Sequence, residues 1–198
     1  MTIPKREDRR VERTRHFIRQ AFVEIIREKG FASMSVQDIA ARANVNRGTF
    51  YIHFTDKYML LDAVVRGNFQ ELISNTLPPD SRWERGSVLL LIRTVLKCFE
   101  DKYRHQHPSP RLPASLLEQT IYDELNKFLL TYITKEGYKQ TQRTMSNEQV
   151  SQIISWSILG PAVQWSQKPV RVSFEQMADT IFTVIMDGAA SYLTDGNH

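Results

Sequence analysis

The chain has 198 residues, of which 41% are apolar, and it carries a formal net charge of +4. The apolar content is enough for a packed soluble core in one larger domain or two small ones. The single cysteine, Cys98, excludes an internal disulfide and fits the reducing cytosol. No run of about 18 apolar residues occurs, and the charged N-terminus lacks the apolar segment of a signal peptide. We therefore expect a cytoplasmic protein that does not span a membrane.

The positive charge is concentrated in the N-terminal part of the chain. Residues 1–57 carry 12 Lys and Arg against 7 Asp and Glu, a balance of +5, whereas residues 58–198 carry 14 against 15, a balance of −1. Because binding to a phosphate backbone requires such an excess, the asymmetry predicts that residues 1–57 contact nucleic acid.

The first predicted helix runs from about Asp8 to Lys29 and ends at Gly30. Its inner face is an apolar stripe at helical spacing, made by Phe17, Ile18, Ala21, Phe22, Ile25 and Ile26. With the two short helices that follow, it predicts a three-helix N-terminal domain.

A tight helical hairpin is predicted after Gly30. Ser35 is suited to the N-cap of its first helix, and Asp38 stands at the acidic position three residues later. Asn44 interrupts the apolar pattern, and asparagine accepts the left-handed conformation that ends a helix. Asn46 is suited to cap the second helix.

The second hairpin helix has an apolar inner face, Phe50 and Phe54, and a polar outer face. Arginine and asparagine match guanine and adenine edges, and threonine and tyrosine suit phosphate oxygens. Lys57 follows Asp56, a good N-cap, so it opens the next helix, where its ammonium and free backbone N–H groups are suited to hold a phosphate. The alternative is an ordinary solvated helix pair. The caps, the helix stop at Asn44 and the polar outer face all fit one helical register. This agreement favours a second hairpin helix that enters the DNA major groove.

The stretch Gly-Phe-Ala-Ser-Met-Ser-Val-Gln-Asp-Ile-Ala (30–40), with Asn-Arg-Gly-Thr-Phe-Tyr-Ile-His-Phe-Thr-Asp-Lys (46–57), resembles the signature of TetR/AcrR-type transcriptional regulators. The resemblance covers about 50 residues and implies an all-helical homodimer with a C-terminal ligand-binding and dimerisation domain. Our DNA-binding candidates are Ser35, Gln37, Asn46, Arg47, Gly48, Thr49, Tyr51, His53 and Lys57. Asn44 stands where the family often has glycine, and Asn46 where serine is frequent, a departure that bears on base preference.

The remaining chain predicts further helices, about nine in all. A fourth helix, from Lys57 to about residue 75, carries an apolar stripe too wide for a three-helix domain, so we expect it to bridge two bodies. Pro78 and Pro79 then break the chain. We therefore predict a helix-turn-helix domain at 1–56, a bridging helix at 57–75 and a ligand-binding and dimerisation domain at 76–198. Later helices are expected at about 84–104, 116–134, 147–165 and 173–193.

The last two predicted helices carry more apolar surface than one buried stripe needs, and Gly160-Pro161 inside the first of them indicates a kink or a close backbone approach. The surplus predicts a partner, and pairing with the same helices of a second copy gives an isologous four-helix bundle. The candidate seam residues are Ile154, Leu159, Val163, Phe182 and Ile185.

The C-terminal part is rich in aromatic side chains. Ordinary core packing explains any one of them, but as a set they are typical of an apolar ligand pocket between helices. The candidate pocket residues are Phe99, Tyr103, Tyr122, Phe128, Tyr132 and Trp156.

Other groups argue for no further chemistry. His105 and His107 lie in a proline-rich stretch, with no cysteine or acidic residue between them, so we expect no metal site. Asp123 and Glu124 are expected to face solvent. No phosphate loop or nucleophile motif occurs, so we predict no catalytic residue, no cofactor and no enzyme activity.

Together these features predict a homodimeric regulator that binds an inverted repeat in double-stranded DNA. We expect a repressor released by a small apolar or amphipathic effector. One alternative is a DNA-binding regulator with no small-molecule effector. Another is a helical enzyme or ligand carrier with a vestigial hairpin.

Overall fold

A computed structural model describes residues 6–77, 81, 83–104, 112–135, 145–168 and 172–194. The ordered elements of these residues are eight helices and no strands, so the all-α prediction is confirmed. The helices are α1 (Arg6–Ser33), α2 (Val36–Arg42), α3 (Arg47–His53), α4 (Lys57–Thr76), α5 (Arg85–Arg104), α6 (Ala114–Lys135), α7 (Asn147–Gln167) and α8 (Phe174–Thr194). His105 and His107 lie outside the described residues.

The chain divides into two compact units. The first contains Met1–Val65 and His107–Leu117, and the second contains Arg66–Gln106 and Glu118–His198. The division falls inside α4, so this one helix contributes to both units. None of the described helices has the length and apolar character needed to cross a membrane.

The first unit is built around a core contributed by α1 to α4. Its largest fully buried side chains are Ile18, Phe22, Ile39, Phe50, Phe54, Leu60 and Leu61. Burying each side chain of this size contributes about 1.5–3 kcal/mol relative to leaving it exposed. The core therefore fixes the orientation of α3, which contributes Phe50 and is followed by Phe54.

The prediction that Phe17 belongs to the inner stripe of α1 is wrong. Phe17 is 41% exposed, whereas Ile18 is buried. The buried arc of α1 is centred on Ile18 and Phe22, and Phe17 lies at its edge, where the Arg13 guanidinium stacks 5.4 Å from the ring centroid.

Ion pairs tie α1 to α2 on the surface of the first unit. Arg42 donates to both oxygens of Glu28 at 2.8 Å and to Glu24 at 3.3 Å. These hydrogen bonds raise the pKa of Arg42 above its ordinary value. Exposed pairs contribute little stability singly, but the bidentate contact to Glu28 restrains α2 against α1.

The second unit has a core of its own, contributed mainly by α5 to α8. Its fully buried side chains include Ile92, Leu96, Phe99, Leu125, Leu129, Ile158 and Ala178. Helix α7 continues through Gly160-Pro161 to its end at Gln167. Since no atom lies within 4 Å of a Cβ built on Gly160, no close approach of another helix occurs there within the described chain.

The expectation that Glu124 faces solvent is wrong. Glu124 is only 6% exposed and forms an ion pair with Arg66. Gln70 donates a hydrogen bond of 2.5 Å to its second oxygen. A carboxylate this buried requires such partners, so the three residues join α4 to α6 within the second unit.

Candidate nucleic-acid interface

The hairpin begins at a reciprocal cap. Ser35 Oγ accepts from the backbone N–H of Asp38 at 3.2 Å, and Asp38 Oδ2 accepts from the backbone N–H of Ser35 at 2.8 Å. The ammonium of Lys29, 2.8 Å from Asp38, is the main reason that the pKa of Asp38 lies well below its ordinary value, and Ser35 adds to the effect. The predicted N-cap is confirmed.

The turn between α2 and α3 is made by Asn44, whose φ of 53° is left-handed as predicted. The next residue, Val45, donates from its backbone N–H to Ala40 O at 3.0 Å and packs partly buried against the core of the first unit. The turn is therefore held on both sides, which sets the angle at which α3 leaves α2.

Asn46 is the N-cap of α3. Its Oδ1 accepts from the backbone N–H of Thr49 at 2.7 Å and from Thr49 Oγ1 at 3.1 Å. This confirms the predicted cap. Because Phe50 and Phe54 are buried, the opposite side of the helix is directed to solvent.

Two of the polar candidates, Arg47 and Tyr51, are exposed. Arg47 and Tyr51, one turn apart, contact each other: Nε and Nη2 of Arg47 lie 3.3 and 3.0 Å from the Tyr51 hydroxyl. Gly48 is exposed, and Gln37 of α2 is exposed as well. Of the predicted α3 residues, the structure thus exposes Arg47, Gly48 and Tyr51, whereas Thr49 and His53 are half-buried.

His53 ends α3 and is half-buried. Partial burial lowers its pKa below the ordinary value; the nearby positive charge of Arg15 acts in the same direction and Glu12 opposes it. The lowered pKa favours the neutral form of the ring, which donates one hydrogen bond and accepts one.

Lys57 opens α4 but is directed inward. Its Nζ lies 2.9 Å from Met34 O, 3.0 Å from Phe31 O and 3.5 Å from Ala32 O. It also lies 4.7 Å from the ring centroid of Phe31. An ammonium has three donors, so a phosphate contact requires it to release one of these carbonyls. Local sequence signals give no indication of these contacts.

The sequence-based prediction also omitted Ile52, which is 79% exposed in the middle of the polar surface. The prediction of DNA contacts rested on polar side chains, whereas the signal that identifies Ile52 is helical phase. It stands two residues from both buried phenylalanines, on the opposite side of α3.

The predicted pocket residues separate into different environments. Phe99 is buried in the core, and Trp156 is exposed and stacks on Tyr122 at 4.7 Å between ring centroids. Phe128 stacks on Tyr132 at 5.7 Å. Tyr103 lies where only the backbone of α5 is described.

Two cavities adjoin Phe128. One, of about 10 Å³, lies among Trp83, Tyr132 and residues of α5, and is large enough only for one water. The other is a groove of about 210 Å³ between α4 and α6. It is lined by Phe69, Gln70, Ile73, Ser74, Glu124, Lys127, Phe128 and Thr131. The groove combines an apolar wall with charged and amide groups.

Of the predicted seam residues, Val163 is half-buried and four are buried within the single chain. Those four are Ile154, Leu159, Phe182 and Ile185. Among the side chains that the structure describes on α7 and α8, the large apolar ones that are exposed are their neighbours Ile153, Trp156 and Val184. The predicted surplus of apolar surface is thus present on both helices, at different residues.

The N-terminal sequence matches a known family. Residues 18–64 match the profile of "Bacterial regulatory proteins, tetR family". The chain is 36% identical over 72 residues to the uncharacterized HTH-type transcriptional regulator YxbF of Bacillus subtilis, covering 36% of this chain and 19% of YxbF. It is 31% identical over 121 residues to DhaS, activator of the dhaKLM operon of Lactococcus lactis, covering 58% and 64%. The chain thus spans less than two thirds of these relatives.

Solved structures share the fold. The R. erythropolis transcriptional repressor QsdR matches with a TM-score of 0.59 at 14% identity, over 88% of this chain and 94% of QsdR. FadR from Bacillus subtilis, in complex with stearoyl-CoA, matches with a TM-score of 0.52 at 17% identity, over 87% and 98%.

Proposed function

The chain belongs to the TetR family of bacterial regulatory proteins, and we propose that it is a homodimeric, sequence-specific DNA-binding repressor released from its operator by a small amphipathic ligand. The observation that carries the DNA-binding part is the surface of α3. Two buried phenylalanines hold the helix, and Arg47, Thr49 and Tyr51 lie outside the core. A rigid exposed helix bearing such side chains suits the major groove. The excess of positive charge in residues 1–57 supports the same proposal.

We propose dimerisation through the exposed apolar side of α7 and α8. On α7 this side is made by the exposed Ile153 and Trp156 and by the half-buried Gly160 and Val163, which recur at helical spacing. Val184 is its counterpart on α8. The open space at Gly160 permits close approach of a second helix. A two-fold dimer would present two copies of α3, which matches an inverted-repeat operator.

The ligand site that the geometry supports best is the groove between α4 and α6. Phe69, Ile73 and Phe128 supply an apolar wall, and Gln70 and Lys127 supply polar groups at its edge. An amphipathic molecule fits this combination. The stearoyl-CoA bound by FadR is a molecule of that class.

Helix α4 is the element by which a ligand would act on DNA binding, because it belongs to both units. Two recognition helices engage one duplex face only at a spacing of about 34–36 Å or a multiple of it. A ligand that favours a conformer with another spacing weakens DNA binding, and DNA weakens ligand binding equally, by about 1–3 kcal/mol.

Fluorescence anisotropy with a duplex that carries an inverted repeat from upstream of the gene tests DNA binding. The proposal requires tighter binding than to a scrambled duplex. A thermal-shift screen with stearic acid, stearoyl-CoA and long-chain ammonium compounds tests the effector, since a ligand at 100 times its Kd stabilises by about 2.7 kcal/mol. A shift that accompanies weaker operator binding supports ligand release. Operator binding without any ligand shift favours a regulator with no small-molecule effector, and loss of all DNA affinity favours a carrier or enzyme.

A further inference from the structure

Ile52 is the most exposed of the large apolar side chains in the described residues. It is 79% exposed, and it stands on α3 among polar residues. An isolated apolar side chain of this kind does not form the extended patch that marks a protein-docking surface. Single exposed apolar side chains are common on protein surfaces, so what distinguishes Ile52 is its position at the centre of the α3 surface rather than its exposure alone.

The phase of α3 places Ile52 farthest from the core. At 3.6 residues per turn, Ile52 lies about 160° around the helix from both Phe50 and Phe54, which are buried. Gly48 lies one turn earlier on the same side and has no side chain to cover the backbone. A Cβ there would lie 3.2 Å from Asn46 Oδ1, the N-cap oxygen. The centre of the exposed surface thus consists of the Ile52 side chain and, one turn earlier, the uncovered backbone at Gly48.

The polar side chains on either flank already have partners in the free protein. On one side Arg47 contacts the Tyr51 hydroxyl, and on the other Thr49 bonds to Asn46. These contacts hold the flanking groups away from the midline of the surface. A groove that receives α3 along this midline therefore meets Ile52 first, and Gly48 permits the backbone to approach closely.

We propose that Ile52 determines sequence preference by packing against the C5 methyl group of a thymine in each operator half-site. This inference rests on the proposed DNA-binding function. In the major groove, the thymine methyl is the only apolar group that a base pair presents, so an apolar side chain at the midline distinguishes A·T from G·C pairs. An isoleucine left in water in the free protein gains by burying its methyl groups there.

The test removes either the thymine methyl group or the part of the Ile52 side chain beyond Cβ. An operator duplex selected by the parent protein is resynthesised with each half-site thymine replaced in turn by deoxyuridine, which keeps every hydrogen-bonding group. The parent should lose about four-fold in affinity at one position, the factor expected for one buried methyl. Ile52→Ala should bind the unmodified operator more weakly and show less than two-fold further loss with deoxyuridine at that position. Because Ile52 is exposed and alanine favours helix, this variant should keep its fold, which circular dichroism checks.

Arg47→Ala is the matched control, since it should retain the deoxyuridine penalty while losing preference elsewhere in the site. The inference is overturned if the parent tolerates deoxyuridine at every position. It is also overturned if Ile52→Ala keeps the full penalty. If the parent protein selects no sequence at all, the proposed DNA-binding function is contradicted, and this inference is contradicted with it.

Discussion

Arg47 donates two hydrogen bonds to the Tyr51 hydroxyl, and its guanidinium lies 5.5 Å from the centroid of the Tyr51 ring. The two residues are one helical turn apart, so they occupy the same flank of α3. The contact restrains a long flexible side chain before DNA arrives, which reduces the entropy lost on binding.

Arg47→Ala should reduce discrimination between operator and random duplex by about 1–3 kcal/mol, more than it reduces affinity for random DNA, because a base-contacting arginine provides specificity. Tyr51→Phe, which keeps the ring and removes the hydroxyl, should give a smaller loss. Anisotropy titrations against both duplexes at one salt concentration measure the ratio. If the ratio is unchanged in Arg47→Ala, this residue does not contact a base.

Lys57→Met should lower the stability of the protein by about 1–3 kcal/mol, because the carbonyl oxygens of Phe31 and Met34 lose their donor. Lys97→Met, at an exposed lysine of the second unit, should change stability little. Thermal unfolding of the three proteins checks the difference.

The same variant separates a structural role of Lys57 from the phosphate contact that the sequence predicts. A structural role leaves the slope of log affinity against log salt unchanged in Lys57→Met. A slope that falls by about one unit would show that the ammonium leaves its carbonyls and binds phosphate.

DNA affinity should rise as the pH falls from about 7.5 to about 5.5 if His53 contacts phosphate. The pKa of His53 is lowered in the free protein, and an adjacent phosphate raises it, so binding takes up a proton. His53→Gln should remove the part of the pH dependence that this proton causes. An identical pH profile in parent and variant would exclude His53 as its source.

In the absence of DNA, the stability of the folded protein changes with pH in the opposite direction to the DNA affinity. A histidine whose folded pKa lies below its unfolded value of about 6.5 binds more protons when unfolded. Its contribution to stability is therefore present above about pH 6.5 and is lost as the pH falls through the lowered folded pKa. His53→Gln should show less loss of stability than the parent over this range.

Val184→Glu should convert the proposed dimer to monomers, since the proposed seam would bury an unpaired charge at a cost of several kcal/mol. Val184 is 65% exposed in the single chain, so the variant keeps its fold, whereas a charge at buried Phe182 would also damage the core. Thr183→Glu, one residue away and also exposed, is the control that should stay dimeric. Light scattering distinguishes the two; a dimeric Val184→Glu would place the interface elsewhere.

Arg66→Leu should destabilise the protein by about 3 kcal/mol, because it leaves the Glu124 carboxylate buried without its cation. Glu124→Leu should cost less, since the Arg66 side chain is 34% exposed and can hydrate. Urea unfolding of both variants gives the comparison. Equal losses of unfolding free energy in the two variants would mean that the attraction within the pair, rather than the burial of an unpaired carboxylate, determines the loss.

The features that the sequence predicts well depend on residues close together in the chain. The caps at Ser35 and Asn46 and the left-handed Asn44 each involve a partner or conformation within three residues. Their signals are therefore present in a short stretch of sequence. The burial of Phe50 and Phe54 follows from helical period in the same way.

The features that the sequence did not predict depend on distant partners. Lys57 contacts carbonyls 23 to 26 residues earlier, and the partners of Glu124 lie 54 and 58 residues away in the chain. No local period distinguishes such a lysine or glutamate from a solvated one. Ile154 and Leu159 are a similar case, because a helix that is apolar nearly all round does not reveal which side its own chain covers.

Selection of binding sites from a library of random duplexes tests the central claim most directly. The parent protein, at fixed salt, should enrich an inverted repeat whose half-site centres lie about 10 base pairs apart or at a multiple of that spacing. Arg47→Ala, selected in parallel, should enrich it weakly or not at all. A parent pool that stays as random as its input would contradict sequence-specific DNA binding through α3.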